Sequence, residues 1–147
     1  MNLNHEPMSP IFDKFHVEGL PRSAVFHRFA APDSGPAHDH PFSITSFIVY
    51  GGYEEEVFDK LTGKSQLVSH YEGDSFSFPA THVHRITRLF TREVWTLILP
   101  GEWEQKSGFW EFREDGSYYR AWDEPEFYKI TGAANPPPET GSATNRP

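Results

Sequence analysis

Between roughly residue 23 and residue 122 the apolar side chains recur every second position, with turn-forming residues between the runs. A period of two puts alternate side chains on opposite faces of an extended chain, so the pattern selects strands over helices. Ten runs read this way: Ser23–Ala30, His38–Phe42, Ile44–Tyr50, Tyr53–Phe58, Ser65–His70, Asp74–Phe78, His82–Leu89, Glu93–Leu99, Gly108–Phe112 and Ser117–Trp122. Pro32-Asp33-Ser34-Gly35, Gly51-Gly52, Gly63, Glu72-Gly73, Pro100-Gly101 and Glu114-Asp115-Gly116 supply the breaks. Only Glu124–Thr131 reads as a short helix, with Pro125 in its first turn. Many short strands without a long helix imply an all-β fold, a single antiparallel barrel or sandwich. One core is enough for a chain of 147 residues. The core is expected across residues 11–131, with residues 1–10 flexible. Residues 132–147 hold no large apolar side chain and read as a disordered tail.

Several functions are excluded by what the chain lacks. There is no cysteine, which removes disulfides, thiolate metal sites and cysteine nucleophiles. The formal charge of −8 repels phosphate backbones, so nucleic acid is not an expected partner. No apolar run approaches the ~20 residues that span a bilayer, and no signal-peptide core precedes the first strand. The expectation is a cytoplasmic protein with no membrane partner.

Eight histidines remain to be explained. His5, His16, His27 and His70 stand alone, which is the pattern of structural residues. His38-Asp39-His40 and His82-Val83-His84 each place two imidazoles two positions apart, on one face if the chain is extended. Neutral imidazole binds zinc, iron, nickel and copper, and two such pairs can converge inside a barrel.

These pairs resemble the two motifs of the cupins. The second cupin motif is matched by Gly73, Pro79 and His84, with Thr81 where a second glycine stands; the first is matched by His38, His40 and the Gly51-Gly52 turn. The longer strings HDHP, GGYEE, HR and WTL resemble a group of small bacterial and phage cupins. The resemblance implies a cupin-type jelly-roll barrel holding one divalent metal through His38, His40 and His84. Where a typical cupin has its glutamate ligand, this chain has Ile44 and Thr45, so the set of three imidazoles resembles that of thiol dioxygenases. Iron(II) is then the preferred metal, with zinc, nickel and manganese as alternatives, and dioxygenation of a small polar molecule is the leading reaction. The alternatives are a metal-dependent isomerase, epimerase or lyase, and a metal or small-ligand binding protein without catalysis. By alternation Tyr53 and Glu55 share a face, so both are candidate catalytic residues, Glu55 as general base or replacement ligand. Arg88 has the parity of His84 and is expected inside, gripping a substrate carboxylate, with His82 beside it. Thr45 is expected to face the pocket without coordinating. Cupins pair through edge strands, and Phe12 and Phe15 are placed to serve a homodimer.

Overall fold

The computed structural model describes residues 2–130, which form thirteen strands and no helix. In chain order they are β1 (Asn2–Ser9), β2 (Phe12–Glu18), β3 (Val25–Phe29), β4 (Ala37–His38), β5 (Ile44–Tyr50), β6 (Gly52–Phe58) and β7 (Ser65–Tyr71). Then come β8 (Ser75–Phe78), β9 (His84–Leu89), β10 (Val94–Pro100), β11 (Gly108–Arg113), β12 (Gly116–Ala121) and β13 (Tyr128–Lys129). One sheet runs β1-β2-β3-β10-β5-β8 and the other β13-β12-β11-β4-β9-β6-β7. Every pairing is antiparallel.

The inner faces carry the alternating residues. On β5, Ile44, Ser46 and Ile48 are buried while Phe47 and Val49 are exposed. Ile48, Tyr53, Ile86 and Val94 form one core cluster, and Ala37, Val83, Trp110, Tyr119 and Ala121 form another. Burying each large side chain contributes about 1.5–3 kcal/mol.

Three expectations change here. Residues 2–9 are not loose: they pair with β2, because Pro7 tolerates an edge and the backbone of Asn2–Glu6 is free to build a ladder. The segment Glu124–Thr131 forms no helix over its described part; it follows a turn at Trp122–Asp123, and Tyr128–Lys129 adds a short edge strand to β12. His38–Phe42 is a strand only to His38, after which the chain leaves the sheet. The expected tail, 132–147, lies outside the described residues.

Two glycines fix the register that matters most. Gly51 has φ 77°, a left-handed conformation that residues with a Cβ avoid. A Cβ on Gly52 would lie 2.6 Å from the His70 carbonyl oxygen. The bare backbone there lets β6 and β7 close up, with Tyr53 directly opposite His70.

Candidate metal centre

His38 ends β4 and pairs with His84 at the start of β9. His40 lies in the following loop and is held by its backbone: its N–H donates to the Ala80 carbonyl at 3.1 Å, and its carbonyl accepts from Gln105 Nε2 at 2.9 Å. Asp39 is the anchor between them. Its carboxylate accepts from the Gly108 N–H at 2.8 Å and from Trp110 Nε1 at 3.0 Å, and it is 2% exposed. Burial pushes the Asp39 carboxyl up to about 6, against the pull of those two donors. The two rings of this pair therefore converge through a pinned turn rather than through strand alternation.

The result is three imidazoles whose ligand atoms all lie within 4.8 Å of one another. His40 Nε2 and His84 Nε2 are 3.2 Å apart. The His84 Nδ1 proton is claimed by Glu55 Oε2 at 2.9 Å, which leaves the His84 Nε2 lone pair facing His40. Burial, reinforced by the neighbouring His84, holds His38 down at about 3 and His40 well below the usual histidine value. Rings that stay neutral at pH 7 are the form that binds a metal ion. The donor set thus fits a divalent transition metal: converging imidazole nitrogens, with one tautomer fixed from behind.

Glu55 is that support. It is 2% exposed and faces inward from β6. Burial alone would raise its carboxyl; the imidazoles of His70, His82 and His84 outweigh burial and hold it well below the carboxylate range. His82 Nε2 and His70 Nε2 stand 3.4 and 3.6 Å from Oε1, longer contacts than the one His84 makes. A carboxylate that orients a ligating histidine from its second nitrogen is a recurrent support for metal sites. Glu55 sits behind His84 and is not among the residues that line the cavity. A second trio, Glu55, His82 and His84, also lies within metal-binding reach and shares His84 with the first.

The other expected site residues divide. Tyr53 lines the cavity, is 4% exposed, and burial raises its phenol well above the ordinary value. His82 lies in the turn before β9, stacked on Phe78 with centroids 4.5 Å apart. Arg88 points out, against the expectation, with a side chain 65% exposed beside Glu54. The cause is a bulge: Glu54 faces Arg88 and Glu55 faces Ile86, so Thr87 is the extra residue and the parity of β9 reverses beyond Ile86. Thr45 also faces outward, its hydroxyl 2.9 Å from Ser77 Oγ, and Ser46 takes the inward place. Two residues the sequence reading passed over matter here: Asp39, hidden between two histidines, and His70, whose ring stacks on Phe76 at 3.8 Å. The double glycine before Tyr53 was the signal for His70, since it sets the pairing that brings the ring in.

A cavity of about 320 Å³ lies between the sheets, with His38, His40 and His84 on one wall. Among the described residues no helix is long and apolar enough to cross a membrane.

Comparison of the sequence with protein families and with curated proteins finds no match. Solved structures do match in fold. Hydroxypropylphosphonic acid epoxidase from S. wedmorenis aligns with TM-score 0.54 and 10% identity, over 67% of this chain and 55% of that one. A point mutant of oxalate decarboxylase from Bacillus subtilis aligns with TM-score 0.55 and 19% identity, over 78% of this chain and 29% of that one. A protein of unknown function from Vibrio parahaemolyticus aligns with TM-score 0.51 and 8% identity, over 67% of this chain and 98% of that one. The chain therefore spans about half the length of the first of these and under a third of the second. At such identities the likeness speaks for the fold: an all-β, cupin-type jelly roll.

Proposed function

We propose that this protein is a metal-dependent enzyme in which His38, His40 and His84 hold one divalent ion, iron(II) in the first instance, and that it oxygenates a small polar molecule. The observation that carries the reading is the convergence of three imidazoles, two of them with Nε2 atoms 3.2 Å apart, on the wall of a cavity between the sheets. No carboxylate belongs to that trio. When bound there, the ion would supply Lewis-acid character and, for iron, redox chemistry, with coordination positions left for substrate and dioxygen. The chain's own part is to hold His38 and His40 neutral, to fix the His84 proton on Nδ1 through Glu55, and to shield the site with Phe78, Ile86 and Phe109. Tyr53 presents its phenol to the same space. Two proteins of similar fold, one with Fe(II) and an oxalate decarboxylase with Mn(II) centres, make both ions sensible first choices.

The test is anaerobic loading with iron(II), then oxygen uptake measured with a panel of small hydroxy, keto and amino acids. Uptake that depends on both iron and an organic acid supports oxygenation. Turnover of the same acids by the zinc form without uptake would favour an isomerase, epimerase or lyase instead. Stable metal binding with no turnover of any acid would favour a binding protein.

A further inference from the structure

The wall opposite the three imidazoles belongs to the other sheet, and its inner face carries a polar row. Lys14 on β2 pairs with His27 on β3, His27 pairs with Thr96 on β10, and Thr96 pairs with Ile48 on β5. Directly opposed residues share a face, and Ile48 is buried, so the row points inward. Ser46, two residues from Ile48, joins it. All of Lys14, His27, Thr96 and Ser46 line the same cavity as the histidines.

Two features make this more than packing. Thr96 is 1% and Ser46 2% exposed, yet neither hydroxyl has a hydrogen-bond partner. A buried hydroxyl left unpaired is unfavourable, a cost that valine or alanine at the same place would not carry. Among the described residues the lining also holds one cation, Lys14, which faces Glu6 across the β1–β2 ladder, and one acid, Asp33, which accepts the Ile86 N–H at 2.7 Å. Next to Lys14, burial and then the charges of Lys14 and His16 push His27 down to about 3, so it meets a ligand as a neutral ring with one N–H to give. A cation, an imidazole and two open hydroxyls in a low-dielectric wall are complementary to an oxyanion.

The geometry points to the row Lys14–His27–Thr96, with Ser46, as a subsite for the distal carboxylate of a small organic acid whose near end faces His38, His40 and His84. Only the near end rests on the metal-centre reading; the subsite stands on the opposite sheet. The substrate class this defines is a short diacid or hydroxy diacid, of a size that a cavity of about 320 Å³ admits. Arg88, outside the barrel, takes no part.

Calorimetric titration of the zinc-loaded protein with malate and with lactate isolates the distal group, because the two share one hydroxy-carboxylate end. Malate is expected to bind about tenfold or more tighter than lactate, worth ~1.4 kcal/mol. Lys14→Met and Thr96→Val should shrink that ratio while zinc content and lactate affinity stay as in the wild type. A ratio near one in the wild type, or one that neither substitution changes, overturns the subsite. A second titration, of metal-free protein with succinate, is read by backbone amide resonances. Shifts at His27 and Thr96 that Lys14→Met abolishes support the subsite, and their absence overturns it whether or not zinc binds. Zinc failing to bind while those shifts persist would sink the metal reading alone.

Discussion

Replacing Glu55 separates a carboxylate that supports a metal ligand from one that is a ligand itself. Glu55 Oε2 accepts the His84 Nδ1 proton at 2.9 Å and is 2% exposed. Glu55→Ala leaves that N–H buried without its acceptor, at a cost of about 1–3 kcal/mol to the metal-free fold. It also frees the ring to turn or to change tautomer, and loss of such a support lowers metal affinity about 10–100-fold. Glu55→Gln keeps an acceptor oxygen but removes the charge felt by His70 and His82, so its loss should fall near or below the lower end of that range. The assay is competition for zinc against a chromophoric chelator, with urea unfolding of the metal-free proteins alongside. At saturating zinc both variants should still bind one ion per chain. If Glu55→Ala binds none at saturation, as His84→Ala should, Glu55 is a ligand and the support role is wrong. If its affinity equals that of the wild type, the hydrogen bond orients nothing.

Asp39→Ala orphans the Gly108 N–H and the Trp110 Nε1–H, so the metal-free protein should lose about 2–5 kcal/mol in urea unfolding, with zinc affinity falling too; a loss below ~0.5 kcal/mol would contradict the pinned turn. His27 and His38 have folded-state values of about 3 against 6.5 when unfolded. The unfolded chain therefore takes up the protons first: stability is full above pH 6.5 and declines as the pH falls from 6.5 toward 3. Between pH 6.5 and 5.5 the metal-free protein should lose about 1 kcal/mol for each ring, and His27→Gln should reduce that slope; a flat profile would refute the burial of these rings. Arg88→Ala should change neither zinc affinity nor malate binding by more than about twofold, since its side chain is outside; a larger loss of malate binding would restore Arg88 as a substrate clamp.

How much of this was legible in the sequence can be traced through individual residues. Alternation was enough for the strands and for Tyr53 and Glu55, because β6 is regular and one of its faces is buried. The same rule failed for Arg88, since a single extra residue at Thr87 reverses the faces and nothing in the composition of the strand marks it. Thr45 was misplaced for a related reason: the cupin resemblance locates the missing glutamate near positions 44 and 45, but only the pairing of β5 with β10 says which residue faces in. The histidine pair at 38 and 40 pointed to the metal chemistry for a reason that does not hold. The two rings do not share a strand; the Asp39 carboxylate and the Ala80 carbonyl bend the chain so that they meet. The polar row of Lys14, His27 and Thr96 is spread over three strands far apart in sequence, and only the sheet brings it together.

The most direct test of the account is metal analysis of untagged protein after zinc or iron(II) loading, for the wild type and for His38→Ala, His40→Ala, His82→Ala and His84→Ala. The account predicts one ion per chain in the wild type and in His82→Ala, and none in the other three. Retention of the ion in His38→Ala and His40→Ala, with its loss in His82→Ala, would place it instead among Glu55, His82 and His84 and contradict the three-histidine centre.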